Sequence, residues 1–272
     1  LLAVISTRDR ASRRDPMSFP LDGNGFLDLA SPTIESLRIG VTADFGGLLV
    51  SNHVRREFED RVAYLVECGA EVVDLSLDLT EAVEVDWQLR ADIFATQYHR
   101  DIADFDESFN PNVFRTYETA LSTTVLEIAR ARRKQVDLFR RVDAVFDEVD
   151  IVVCPGVSVP PFPWSSLHPT EIDGEKVDNY MAWLSLTSCL TVVGHPVTAL
   201  PAGLDSSGLP FGIQCIAPMY QDATLLTMAK SLENSFAASA QYLVPRPDHQ
   251  VIESSDPQCQ ELGKAAAIAA AG

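Results

Sequence analysis

The chain has 272 residues, 46% of them hydrophobic, enough to bury the core of one large domain or two small ones, and its formal net charge is -18. A charge of that sign repels polyanions unless cations gather in one place, which argues against nucleic acid and an anionic membrane surface as partners. No hydrophobic run reaches the ~20 residues of a membrane span, and LLAVISTRDR places apolar residues before basic ones, the reverse of a secretory signal; a cytoplasmic protein is expected.

Taken in chain order, LLAVI reads as the end of a helix, and Pro16, Pro20 and Pro32 with nearby glycines make residues 8–36 a linker or surface loop. LRIGV at 37–41 is a predicted strand. In SNHVRREFEDRVAYLVECG, Val54, Phe58, Val62 and Leu65 share one helical face, with Ser51 or Asn52 placed to cap its start and Gly69 its end. AEVVDL at 70–75 completes a strand, helix, strand unit, for which a right-handed parallel crossover is the prior. Two helices are predicted next, near 80–103 and over 112–147, separated by a turn at Asn110 and Pro111. In the second, Leu121, Val125, Ile128, Val136, Phe139, Val142 and Phe146 keep an approximate helical spacing, and the basic run ARARRKQ at 129–135 reads as a solvated face.

DIVVC at 150–154 is a buried-type strand stopped by Pro155. PGVSVPPFPWSSLHPT is too rich in proline for regular structure and is expected as an extended loop lying against the body. Loops leaving strand ends are where α/β proteins place their sites. After the polar EIDGEKVDN come a short buried helix in YMAWLSLTSCL, strands in PVTALPAG and FGIQCIA, and an amphipathic helix in QDATLLTMAKSLENSF with Leu225, Met228, Ala229 and Leu232 inward and Asp222 in its first turn. DSSG joins the two strands as a hairpin connection in which Gly208 supplies a permissive backbone, so Ser206 and Ser207 are turn residues. The expected fold is α/β, a mixed β-sheet flanked by helices. Residues 1–247 form the domain and 248–272 a low-complexity, mobile tail.

Chemistry is harder to find. Cys68, Cys154, Cys189, Cys215 and Cys259 form no CxxC pair and sit mostly in apolar runs, the pattern of buried thiols in a reducing compartment. His53, His99, His168, His195 and His249 are dispersed, so no metal site is expected. TADFGG at 42–47 lacks the phosphate-loop spacing, and no cofactor is expected. GVSVP at 156–160 approaches the nucleophile-elbow pattern GxSxG, but Pro160, Pro161 and Pro163 oppose the helix that must follow, which disfavours Ser158 as a nucleophile partnered by a histidine. A lysine base must be desolvated to lose its proton near neutrality. Lys134, Lys176, Lys230 and Lys264 all lie in polar surroundings and read as solvent-facing cations.

TSCLTVVGHPVTALPAG, GLPFGIQCIAP and DATLLTMAKSLE resemble the C-terminal part of the amidase signature family, with its T...G.P....P.G, GLP.G.Q and D/E..LL..A...E pattern. LRIGVTADF, CGAEVVDL, VDAVFDEVDIVVCP and LLAVISTRDRASRRDPMSFP extend the likeness over residues 1–245. The resemblance implies hydrolysis of carboxylic amides by attack of a serine, through an acyl-enzyme, with a lysine and two serines as machinery. No GGSSGG-like string and no matching lysine occur in this sequence, so by the resemblance the triad falls before Leu1 and no catalytic residue is expected within the chain. The chain is thus expected to be the C-terminal half of an amidase, inactive alone, taking a small-molecule amide substrate when joined to the missing half. Pro155, Val157, Trp183 and Thr187 are the candidate substrate wall. Exposed strand edges left by the missing sheet centre predict association, including a homo-oligomer. The alternatives are a non-catalytic binding or regulatory module on the same scaffold and the A-type subunit of a tRNA-dependent amidotransferase.

Overall fold

The computed structural model describes residues 1–6, 23–27, 29–30, 32–98, 111–177 and 180–244. Its elements run α1 (Leu2–Ile5), β1 (Arg38–Val41), α2 (Asn52–Glu67), β2 (Glu71–Asp74), α3 (Ala82–Tyr98), α4 (Pro111–Ser122), α5 (Val125–Val145), β3 (Ile151–Pro155), β4 (Glu171–Ile172), β5 (Glu175–Lys176), α6 (Ser185–Val193), β6 (Val197–Leu204), β7 (Pro210–Ile216) and α7 (Asp222–Ala238), with single 3-10 turns at Gly23–Phe26, Ile34–Ser36 and Ala182–Leu184. The tail at 248–272 and the turn at Asn110 lie outside the described residues, as does most of the 8–36 segment.

Five strands form one sheet in the order β2, β1, β3, β7, β6. β1 runs parallel to both β2 and β3, while β7 is antiparallel to β3 and to β6, so the sheet is mixed. All five residues of β3 are buried, as expected of a central strand covered on both faces. Pro155 is its last residue, paired with Ile213, so the strand runs through the proline. It can do so because its missing N–H falls at the strand's final position.

Ser51 caps α2 by accepting the Val54 N–H, and Gly69 follows the helix at φ +94°. Val54, Phe58 and Leu65 are buried and Val62 partly so. α2 and α7 lie together, joined by the Tyr64 hydroxyl donating to Ser235 O at 2.9 Å. The second group, α3 to α6, enters the same apolar core through Ala131, Leu138, Leu186 and Cys189. Each fully buried leucine there contributes about 1.5–3 kcal/mol.

The helix expected over 112–147 is two. The first run ends at Ser122 and Thr124 starts the next: its hydroxyl accepts the Glu127 N–H at 3.3 Å while the Glu127 carboxylate accepts the Thr124 N–H at 2.7 Å. This reciprocal pair is a capping box, and TVLE is its sequence signature. The break re-phases the apolar positions. Leu121, Val125 and Val136 are exposed, and Ala131, Leu138 and Val142 are the buried face. A second departure is in EIDGEKVDN, where β4 and β5 form a small hairpin through Asp173 (φ +51°) and Gly174 (φ +88°). Asp-Gly is the residue pair such a turn requires.

Candidate functional site

Because β1 and β3 are parallel, their carboxyl ends open on one rim. The two loops that leave it are tied where Ser51 N donates to Ser158 O at 2.8 Å, and just past β1 Thr42 N extends the ladder to Val153 O of β3 at 3.1 Å. Within the TADFGG loop, Asp44 Oδ1 accepts the N–H groups of Gly46 and Gly47, and its other oxygen pairs with Arg55. The proline-rich segment 156–170 holds neither helix nor strand and packs as a satellite core. Val159, Ile172 and Val177 are buried there against Leu49, Phe162, Ala182 and Trp183, and the Phe162 and Trp183 rings meet edge-on at 5.3 Å. Gly156 admits the close approach of this loop to β7, since a Cβ there would sit 2.8 Å from Gly212 O.

Next to this cluster lies a cavity of about 520 Å³ lined by Thr80, Glu81, Glu84, Asp86, Trp87 and Met181 among others. Burial pushes the Asp86 carboxyl up, offset in part by Arg90 at 3.4 Å. Close in sequence to its lining residues Ala182 and Asp86, or on the proline-rich loop, several buried polar atoms have no hydrogen-bond partner among the described residues: Trp183 Nε1, Ser185 Oγ, Arg90 Nε and Ser158 Oγ. Buried polar groups are normally satisfied, so such a set is where a ligand or another polypeptide has polar atoms to offer.

No hydrogen bond joins a serine hydroxyl to a lysine or histidine side chain among the described residues. Lys134 pairs with Glu84 at 2.8 Å, which raises its pKa, the opposite of what a neutral base needs. Lys230 pairs with Glu233, and Lys176 is exposed; Lys264 lies outside the described residues. His195 is buried between Phe139 and Phe146, its ring 4.8 Å from the first. Burial lowers its pKa, and Asp143, 3.9 Å away, opposes that shift from beyond hydrogen-bond reach. Cys189 and Cys215 are pushed up to about 12 by burial, and Cys154 well up by burial, so these thiols are inert at neutral pH. Ser158 is 1% exposed, with no helix after it. Among the described residues no group of three or more His, Cys, Asp or Glu side chains could hold a metal, and no helix is long and apolar enough to cross a membrane.

Sequence reasoning missed a polar ladder on α2. His53, Glu57 and Arg61 stand at intervals of four, one above another on one face. All three engage the β6–β7 hairpin. His53 Nε2 lies 3.0 Å from Asp205 Oδ2, and Glu57 Oε1 accepts the Ser206 N–H at 2.8 Å. Arg61 donates to Ala202 O and Leu204 O while pairing with Glu57 at 2.5 Å, and its guanidinium lies 4.5 Å from the Phe211 ring and 4.9 Å from that of Tyr242. Asp205 also accepts the Ser207 and Leu209 N–H groups. Gly208 takes φ +80°, so DSSG is the hairpin turn its residues suggest. The i, i+4, i+8 spacing was the available signal, but its partners lie more than 140 residues away.

The four candidate wall residues sit in different local settings. Pro155 closes β3, where its carbonyl accepts from Gln214 at 3.1 Å; Val157 is 45% exposed just beyond; Trp183 is built into the satellite core; and the Thr187 hydroxyl turns back to Leu184 O on its own helix. The 520 Å³ cavity is lined by Met181, Ala182 and Ser188, the sequence neighbours of Trp183 and Thr187.

The amidase family profile matches residues 1–226. The A-type glutamyl-tRNA(Gln) amidotransferase subunit of Koribacter versatilis is 26% identical across 88% of this chain and 53% of its own length, and that of Maricaulis maris 24% across 82% and 49%. Among solved structures, a bacterial aryl acylamidase of the amidase signature family superposes with a TM-score of 0.71 at 20% identity, covering 89% of this chain and 52% of that one. A 6-aminohexanoate cyclic dimer hydrolase does so with 0.65 at 19%, covering 85% and 52%. The chain spans about half the length of the curated relatives it matches.

Proposed function

The chain belongs to the amidase family, and from that premise we propose that it is the scaffold half of a hydrolase of carboxylic amide bonds, whose nucleophile and base come from polypeptide outside these 272 residues. The observation that carries this reading is the pairing of a family match over residues 1–226 with a site rim on which no serine is bonded to a base among the described residues. Nucleophilic catalysis needs both groups within hydrogen-bond reach. In this reading Trp183, Val157, Pro155 and Thr187 contribute to the wall on which the substrate's acyl part rests, and the unpartnered Trp183 and Ser185 donors face the completed site. The substrate is a small-molecule amide and no cofactor takes part.

The test has two arms. The chain alone is incubated with simple amides and a serine-directed covalent probe, and the expected result is neither turnover nor labelling. It is then mixed with the part of the Koribacter versatilis relative that lies outside the matched half, and amide hydrolysis is expected. Labelling of a serine within residues 1–272, or no hydrolysis by the mixture, overturns the reading. The names of the curated relatives favour a second reading, the A-type subunit of a tRNA-dependent amidotransferase. That reading requires the reconstituted protein to release ammonia from glutamine, which a preference for other amides would contradict.

A further inference from the structure

α2 has a second face that the hairpin does not use. Glu59, Val62, Ala63 and Val66 follow one another at intervals of one to four residues that keep them on the side of the helix turned away from His53, Glu57 and Arg61. Across from them, Val72 and Asp74 stand two apart on one face of β2, and the chain continues through Leu75 to Asp78. Together with Phe58 and the first residues of TADFGG these walls bound an open groove of about 760 Å³, which shares no lining residue with the 520 Å³ cavity. One end is fixed, since Leu79 N donates to Phe45 O at 2.9 Å and a Cβ on Gly46 would stand 2.9 Å from Asp78 Cα.

The groove joins two kinds of surface. Its apolar part is Phe58, which is buried, with Val62, Val72 and Leu75 half-buried and Val66 left 53% exposed. Four carboxylates, Asp44, Glu59, Asp74 and Asp78, line the same space, and among the described residues no Lys, Arg or His does. Two of the four are engaged, Asp44 by Arg55 and two glycine N–H groups, and Asp78 by Thr80 N at 2.9 Å. Glu59 on the helix wall and Asp74 on the strand wall make no hydrogen bond or ion pair among the described residues. An apolar floor faced from two walls by unpaired negative charge complements a small molecule that is a cation with an apolar body. An anion is repelled by these carboxylates and by a chain of net charge -18, and a neutral molecule leaves them unused.

We propose that this groove between α2 and β2 binds a hydrophobic primary ammonium ion, its carbon chain on Val62, Val66 and Val72 and its charge shared by Glu59 and Asp74. Hydrolysis of a carboxylic amide releases an amine that is protonated at neutral pH, so the reaction proposed above yields this class of ligand. The site itself stands without that reading, and its test uses no activity. Hexylammonium chloride is titrated into the full chain at low ionic strength and followed by calorimetry and backbone amide NMR shifts, with methylammonium and hexanoate as controls. Saturable binding is expected, at least about tenfold tighter than that of methylammonium because a longer chain is buried, with hexanoate silent and the shifts centred on Ala63, Val66, Val72 and Asp74. E59Q/D74N alters two exposed, unpaired side chains, so it should melt as the parent does and bind at least about tenfold more weakly. Ala63→Leu, at an exposed helical position, should keep the fold and block the groove with both carboxylates in place. Equal binding of hexylammonium and methylammonium would reduce the site to counter-ion attraction and overturn the proposal. So would binding indifferent to E59Q/D74N, shifts centred on the 520 Å³ cavity, or no binding. Groove shifts that change with chain concentration in the absence of ligand assign the groove to a second copy, which overturns it as well. Failure of amide hydrolysis leaves the site standing, and an empty groove leaves the hydrolytic reading standing.

Discussion

The two edges of the sheet solve different problems. β2 is four residues long, begins at Glu71 and ends at Asp74, and shares an exposed ion pair between Glu71 and Arg38 at 2.9 Å. β6 is twice as long, bears no charge, and is anchored from behind by a buried Arg61 that holds two of its carbonyls. One edge is short and carries solvated charge, which adds little stability. The other has its polar groups gathered underneath, where they fix the strand and leave its rim clean. The difference teaches that buried polarity in this molecule serves position, and it is best attacked at Arg61.

Arg61→Ala should have the largest effect. Arg61 is 2% exposed, and its loss leaves the buried Glu57 carboxylate unpaired and two β6 carbonyls without a donor. Breaking a buried pair from one side costs about 3–5 kcal/mol. Chemical denaturation should show that loss, and hydrogen exchange should place it at the hairpin before β2. Equal loosening of both edges would erase the contrast between them. Gly203→Ala comes next, because φ +83° alone costs a non-glycine residue about 1–3 kcal/mol, and the new Cβ must displace the Tyr242 backbone. Tyr242 would then be drawn away from Arg61 and from Tyr64, whose ring lies 5.0 Å from its own. A lower denaturation midpoint with unchanged slope is the expected reading.

The hairpin's carboxylates make the same contrast depend on pH. Burial pushes Asp205 up, but the hydrogen bonds from His53, Leu209 N and Ser207 N outweigh it and hold the carboxyl below its ordinary range. Glu57 is likewise lowered, burial being overcome by Ser206 and Arg61. A carboxylate with a depressed folded pKa adds stability that is complete above its unfolded value, about 4, and is lost as pH falls through the folded one. Acid should therefore loosen β6 and β7 before β1 and β2. Asp205→Asn should cost about 1–2 kcal/mol at neutral pH through its charged hydrogen bonds and flatten the acid limb. An unchanged acid limb in D205N would show that other groups govern it.

Local chemistry made much of this fold legible. Ser51 before an apolar stripe, Gly69 after it, Pro155 closing DIVVC and DSSG between two apolar strands each name a boundary through the residue's own backbone preference, and the structure keeps those boundaries to within a residue or two. Where the expectation failed at Thr124, the signal was also local, a Thr and a Glu three apart, masked by a periodicity that continues through them. The Arg61 ladder was of another kind. Nothing near Arg61 in sequence distinguishes it from Arg55 or Arg56, and its meaning comes from carbonyls 141 and 143 residues away. The surroundings of the candidate wall residues were hidden for the same reason: Trp183 finds Phe162 only through tertiary packing, and Thr187 turns to its own helix.

The smallest expected effect is at β2. The Glu71 and Arg38 side chains are 65% and 45% exposed, so Glu71→Ala should change stability by about 0–1 kcal/mol, less at high salt. Its value lies in separating two ways of guarding an edge. If charge is what keeps β2 single, E71A/D74A should associate more strongly than the parent, and sedimentation would show a larger species whose edge amides at Val72 and Val73 are slowed. If length is what matters, four residues offer too few outward N–H and C=O groups for a stable ladder, and the variant should sediment as its parent does. β6, at eight residues, lies on the pairing side of that limit. A β2 that stays single without its charges would make length and firm anchoring, rather than the mere absence of charge, the property that marks β6.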